Sequence, residues 1–265
     1  MYFKIFKEDD NHNGFQYTDG LNEDVLEFND SSESCVPGGL YFSDEKSICG
    51  FLGYGEYIRE VEVPSGTLMV RDVDKFRSKR LFLHKRRSLS DVSTWEWMVE
   101  NGVDIRACDD FALRRSAHNG HLDVVKYLHQ NGADIRACDD YALRWSAENG
   151  HLEVVKYLHQ NGADIRACDD YALQRSAHNG HLDVVKYLHQ NGADIRAKND
   201  YALQLSAEYG HLEVVKYLHQ NGADIRARYD YALRWSAKNG HLEVTSYIKK
   251  QMGFFKRIWD WFKNN

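Results

Sequence analysis

Nowhere in the 265 residues does an apolar run approach the length that crosses a bilayer, and the opening MYFKIFKEDD lacks the long apolar segment of a secretory signal. Length and composition then suit a soluble intracellular protein with room for two domains and a sizeable core. Cysteine is scarce and odd in number, five in all, and Cys108, Cys138 and Cys168 fall 30 residues apart. If that spacing is one structural repeat, the three thiols stand about 10 Å from one another, the distance between packed helices. Such a separation excludes a disulfide or a shared tetrahedral metal among them and reads as exposed loop positions in a reducing compartment. Proline is rarer still, with Pro37 and Pro64 alone, so the chain beyond residue 64 has none.

What is present is a 30-residue unit that recurs without a gap from Arg106. The units Arg106–Ile135 and Arg136–Ile165 differ at four of 30 positions, Phe111/Tyr141, Arg115/Trp145, His118/Glu148 and Asp123/Glu153. Such a unit cannot bury its apolar face alone, so neighbours are expected to stack around one continuous core. Each resolves into two short helices. Asp140 is placed to cap an inner helix of about two turns, with Gly150 at the left-handed position after its end. An outer helix follows from Leu152, with Val154, Val155, Tyr157 and Leu158 at helical spacing and a stop at Asn161-Gly162. Ala142 and Ala147 allow close helix approach, and Ile165 anchors the connecting loop.

GHLEVVKYL followed by NGAD resembles the ankyrin repeat, and the resemblance runs from about Ser90 to Lys250. It takes in a half unit, Asp91–Ala107, and then five full units. The fold class expected is mainly α, a solenoid of stacked helical hairpins behind a small N-terminal α+β domain. Two departures are visible. The family's Thr-Pro-Leu-His opening stands here as Tyr141-Ala142-Leu143-Arg144, or Tyr171-Ala172-Leu173-Gln174. The period is also about three residues short of the usual one, with the shortfall before Tyr141, so projecting β-turn fingers are expected to be short or absent.

The resemblance implies a protein-binding surface on the loop tips and the concave face of the inner helices. Differences among the repeats fall there. One column reads Arg115, Trp145, Arg175, Leu205, Trp235; another reads His118, Glu148, His178, Glu208, Lys238; the loop column ends in Asn199 and Tyr229. Tryptophan and arginine are enriched in binding hot spots, which makes Trp145, Arg175 and Trp235 the preferred anchors, against the alternative that the tryptophans pack between inner helices. The histidines recur at duplicated positions, His121, His151, His181, His211 and His241 before the outer helix and His129, His159, His189 and His219 near its end. A helix-end hydrogen bond and a favourable dipole explain the two sets without a metal or cofactor.

Before residue 89 the chain changes character. β-leaning runs at Tyr2–Phe6, Phe15–Thr18, Leu40–Phe42, Tyr57–Val63, Thr67–Val70 and Leu81–Leu83 alternate with turn residues, and Ser43-Asp44-Glu45 looks like a helix start closed by Gly53. Gly38-Gly39 suits a tight turn into a strand. His12, Tyr17, Tyr41, Glu56 and Arg59 are residue types an enzyme could use. Charge is uneven: residues 1–64 are net −10, and residues 65–90 net +6. The basic run Lys75, Arg77, Lys79, Arg80, Lys85, Arg86, Arg87 could meet nucleic acid, or it pairs with its acidic neighbour. HNGFQYTDGLN, CVPGGLYFSD and YGEYIREVEVP resemble a domain that precedes ankyrin arrays in giant amoebal DNA viruses of the Mimivirus type.

The expected organisation is an α+β domain at 1–88, repeats at 89–252 and an amphipathic capping helix at 253–265, where Phe254, Phe255, Ile258, Trp259 and Phe262 share a face. The expected function is a non-enzymatic scaffold of viral type, monomeric and in the host cytoplasm, holding a protein of the host cell. An enzyme seated in the N-terminal domain and a nucleic-acid binder are the competing classes, and membrane contact is reserved for the aromatic tail.

Overall fold

The computed structural model describes residues 1–31, 33 and 36–253. Contacts divide it into two compact units, residues 1–116 with 121–134, and residues 117–120 with the chain from 135 onward. The expected boundary at residue 88 therefore does not coincide with the contact boundary, which lies inside the repeats.

The first unit is built on antiparallel strands: β1 Tyr2–Phe6, β2 Asn11–His12, β3 Phe15–Gln16, β4 Gly20–Glu23, β5 Leu40–Asp44, β6 Tyr57–Glu62, β7 Met69–Asp72, β8 Lys75–Ser78, β9 Arg80–Leu83 and β10 Arg87–Ser88. The main sheet runs β4-β9-β6-β1-β5-β8-β7, with β10 beside β6 and β2-β3 as a separate hairpin. On one face Phe6, Phe42, Phe76 and Leu81 close over buried Tyr17. Phe3, pointing to the opposite face by the strand's alternation, meets Trp97 edge-on at 5.5 Å. Trp97 lies on α1 (Val92–Glu100), which with α2 (Ala107–His118) and α3 (Leu122–Gln130) belongs largely to this unit.

Two expectations here need correcting. Ser43 and Asp44 do not start a helix, because pairing with Phe3 and Tyr2 keeps them in β5. A 3₁₀ helix begins later, at Ile48, and runs past Gly53 to Tyr54. Asp44 contributes a turn instead, its Oδ1 accepting the Ser47 N–H at 3.0 Å. Gly38 and Gly39, at φ +88° and +136°, do form the turn into β5, and a Cβ on Gly39 would stand 2.2 Å from Arg77 Cγ.

The basic run is largely consumed inside this unit. Arg77 is 2% exposed and donates to Tyr41 Oη at 2.8 Å and the Ser31 carbonyl at 2.7 Å. Lys79 donates to the Leu26 carbonyl at 2.6 Å, Arg86 pairs with Glu8 at 3.1 Å, and Arg87 lies over the Trp97 ring at 4.4 Å. Side chains so engaged do not form a free electropositive strip for phosphates.

The second unit repeats one hairpin. Its inner helices are α4 (Ala137–Glu148), α6 (Ala167–His178), α8 (Ala197–Glu208) and α10 (Ala227–Lys238), and its outer helices α5 (Leu152–Gln160), α7 (Leu182–Gln190), α9 (Leu212–Gln220) and α11 (Leu242–Gln251). Ala142, Leu143, Ala147, Val154, Val155, Leu158 and Ile165 are all buried, as are their counterparts in the next two units. Both helices of a hairpin end in a Schellman motif. After α4 the His151 N–H returns to the Ser146 carbonyl at 2.9 Å across Gly150 at φ +76°; after α5 the Ala163 N–H returns to Leu158 at 3.0 Å across Gly162 at φ +104°.

The start of each inner helix departs from the capping expectation. Cys138, Asp139 and Asp140 all adopt left-handed backbone, φ 54° to 58°, so right-handed helix begins only at Tyr141. Asp140 accepts no N–H of its own helix. Its buried carboxylate takes the Asp164 N–H at 3.0 Å and lies 3.5 Å from Arg136, tying the loop that follows the outer helix to the start of the inner one. Three consecutive left-handed residues cost roughly 1–2 kcal/mol each. The Arg144 side chain offsets part of this by donating to the Asp139 and Cys138 carbonyls at 2.9 and 2.8 Å. Gln174 plays the same part with Asp169 at 2.6 Å, so this tight left-handed turn stands where a longer finger was not expected. No strand occurs after Ser88 among the described residues. The expected capping helix at 253–265 lies, from 254 on, outside the described residues.

Candidate interaction face

Identical repeats must be tied laterally before their differing side chains can form a surface. Two histidine ladders do this within the second unit. His151 Nε2 donates to the His118 carbonyl at 2.9 Å, His181 to Glu148 at 3.0 Å and His211 to His178 at 2.8 Å. These carbonyls are the orphan acceptors at the ends of inner helices, satisfied one repeat away. The rings lie so close that a Cβ on Gly120, Gly150, Gly180 or Gly210 would come within 2.5–2.6 Å of the next repeat's histidine Nδ1. The second ladder joins outer helices: His159 Nδ1 shares a hydrogen bond with Tyr187 Oη, His189 with Tyr217 and His219 with Tyr247, each at 2.9 Å. A helix dipole alone does not account for this set: each of these histidines meets the tyrosine 28 residues on, and Tyr247 persists where the surrounding repeat text breaks down.

Both ladders give testable expectations. Tyr217→Phe removes one partner of a part-buried pair and should cost about 1 kcal/mol, read from the denaturant midpoint of the full chain. An unchanged midpoint would show the tyrosine ladder to be idle. Burial lowers the pKa of His211 against the opposing pull of the His178 carbonyl, and burial followed by the nearby Arg175 charge lowers that of His178. A histidine that resists protonation when folded takes its proton more readily when unfolded. Stability should therefore be full above about pH 6.5 and fall as pH drops toward 5. Thermal unfolding at pH 7 and 5 tests this; a higher melting temperature at pH 5 would contradict it.

The differing columns lie along the inner helices, and neighbouring repeats largely complement each other there. The His118 ring sits 5.0 Å from Trp145, which also meets Tyr141 at 4.1 Å. Glu148 accepts from Arg175 Nε at 3.1 Å, a pairing that holds the Arg175 pKa above its usual value. Glu208 accepts the Tyr231 hydroxyl at 2.9 Å, and Tyr231 stacks on Trp235 at 5.6 Å with Lys238 4.0 Å over the indole. In the first unit Arg115 pairs at 3.1 Å with Glu56, so it is engaged by the strand domain.

Exposure sorts the rest. Trp145, Glu148, Arg175, His178, Glu208 and Trp235 are half-buried, each leaving an edge on the surface, and Lys238 is exposed. Leu205 is 8% exposed, which withdraws it from the face; an apolar side chain in this column packs inward where arginine and tryptophan keep one end in water. Tyr229 is 92% exposed, standing on the left-handed turn in the first residues of α10. Tyr209, 49% exposed with the His178 ring 4.0 Å away, also joins the face. Its sequence signal is a lone tyrosine where the other repeats carry Asn119, Asn149, Asn179 and Asn239.

The comparisons agree with this architecture. A family model described as ankyrin repeats in three copies matches residues 88–169, 143–229 and 173–257, which together cover more than half of the chain. The chain belongs to the ankyrin-repeat family. Among curated proteins it is 38% identical over 131 residues to the ankyrin repeat protein R896 of Acanthamoeba polyphaga mimivirus, covering 48% of this chain and 40% of that one. It is 40% identical over 134 residues to the mimivirus ankyrin repeat protein R868, covering 48% and 66%, and 38% identical over 130 residues to the uncharacterised mimivirus protein R869, covering 47% and 94%. The match to R896 thus spans less than half of either chain. With the hairpins, the period and these relatives together, this is an ankyrin-repeat protein of the Mimivirus type, with a strand-rich domain ahead of the array.

Proposed function

We propose that this ankyrin protein is a non-enzymatic scaffold that holds a host protein on the inner-helix face of its second unit, acting as a monomer in the host cytoplasm. The observation that carries the reading is a row of half-exposed anchors, Trp145, Arg175, Trp235 and the added Tyr209, on the inner-helix side of the unit, where the ends of α4 and α6 are held by the histidine–carbonyl bonds. Large aromatic and arginine groups on a rigid frame lose little entropy on association, and their half-buried stems are already ordered. Repeats in this family are generally protein-interaction modules, in keeping with such a face.

The test compares affinity capture from infected cells by the wild-type chain and by a Trp145→Ala/Arg175→Ala/Trp235→Ala variant whose helical content is verified. Proteins retained by the first should be lost from the second. Retention of the same set by both would place binding elsewhere on the chain.

A further inference from the structure

On one side β1 pairs with β6 along its whole length, Tyr2 to Phe6, but on the other it pairs with β5 only at Tyr2↔Asp44 and Phe3↔Ser43. Beyond Phe3 the two strands part, and a cavity of about 630 Å³ lies along them, a size ordinary for small-molecule sites. Phe42, Phe51 and Tyr54 supply apolar wall. The charged and titratable lining is lopsided: Lys4, Lys7, Lys75 and His12 stand against Asp9 as the one acidic lining residue. Two of the four cationic residues among the first 64, Lys4 and Lys7, are at this one place in an otherwise acidic segment.

Lys4 is 4% exposed. Its Nζ donates to the Tyr41 carbonyl at 2.7 Å and to His12 Nδ1 at 3.1 Å, and sits 4.8 Å above the Tyr17 ring. Accepting at Nδ1 leaves His12 neutral with its proton on Nε2, a second donor at the cavity. Among the described residues no carboxylate pairs with Lys4. The contrast with Arg59, also 4% exposed, is direct: that side chain is bracketed by Asp10 at 2.7 Å and by Asp19. A buried cation without a counter-charge is costly, and burial accordingly lowers Lys4 to about 7 and, with the neighbouring lysines, His12 to about 4.

We propose that the cavity between β1 and β5 binds a small organic oxyanion, a carboxylate or phosphate monoester on an apolar body, whose head group pairs with Lys4 and whose body lies against Phe42, Phe51 and Tyr54. The missing counter-charge is then supplied by the ligand, and Lys7 at the lining favours the same sign of charge, whereas Lys75 is held 3.6 Å from Asp72. Nothing in this assignment depends on the partner-binding face.

Calorimetric titration of the full-length protein at pH 7 with phenylacetate, phenyl phosphate and neutral phenylacetamide decides it. At least one anion should bind about tenfold or more tightly than the amide, and Lys4→Met should weaken that anion about tenfold. Because burial lowers the Lys4 pKa and a bound anion raises it again, binding should be accompanied by proton uptake rather than release, read by repeating the titration in buffers of different ionisation enthalpy. Preference for phenyl phosphate assigns the phosphate class, and preference for phenylacetate the carboxylate class. Should Lys4→Met fail to fold, the comparison of the anions with the amide still decides on the wild type. Anions that bind no better than the amide, or that bind Lys4→Met unchanged, overturn the proposal.

Discussion

Gly180→Ala should destabilise the second unit by about 3 kcal/mol, against about 1 kcal/mol for Gly240→Ala. Both glycines end an inner helix in left-handed backbone, at φ +81° and +78°. They differ in what a Cβ would meet. At Gly180 it would fall 2.5 Å from Nδ1 and 2.9 Å from Cγ of His211, so the ring base itself must move and its bond to the His178 carbonyl is lost. At Gly240 no atom of the described residues lies within 4 Å, so only the backbone strain remains. Denaturant unfolding of the two full-length variants separates the terms. Equal losses would mean that the packing of glycine under histidine contributes nothing to the array.

A change of similar size is expected from Asp170→Ala, about 3 kcal/mol, with Asp170→Asn costing about 1 kcal/mol. Asp170 is 2% exposed at φ 61°; its Oδ1 accepts the Asp194 N–H at 2.9 Å and lies 3.4 Å from Arg166. Alanine removes the acceptor and disfavours the left-handed backbone, whereas asparagine keeps an acceptor and tolerates that conformation. Comparable stability of wild type and Asp170→Ala would show that the aspartate is not the tie between the loop and the inner helix.

At these two sites the sequence pattern stops short of the structure. The period, the paired helices, their apolar stripes and the glycine stops follow from patterns spread over a 30-residue unit repeated with few changes, and periodic signals of that length survive local noise. The left-handed turn does not. Cys138-Asp139-Asp140 carries no glycine, and its conformation is imposed by the Arg144 clamp and the Asp164 tie, which are tertiary. The histidines were visible, but their partners sit 33 and 28 residues away in neighbouring repeats. Likewise the differences in the two inner-helix columns are expected to mark a partner-binding face, yet Glu148 with Arg175 and His118 with Trp145 complement each other at a spacing of 27 residues. In the strand domain, β2 and β10 are two residues long and β8 reads Lys-Phe-Arg-Ser, a charged text that gives no apolar alternation. Nothing in the run Tyr2–Phe6 sets Lys4 apart; only the parting of β1 from β5 shows that it is buried beside a cavity.

The most direct test of the scaffold reading is residue-specific photo-crosslinking of the full-length protein in infected cells. A photoreactive amino acid is placed in turn at Trp145, Arg175 or Trp235 on the inner helices and at Glu153, Asp183 or Glu213, exposed on the outer helices. The account predicts one recurrent protein adduct formed from the inner-helix positions and absent from the outer ones. Adducts that form equally from both faces, or only from the outer helices, would contradict it.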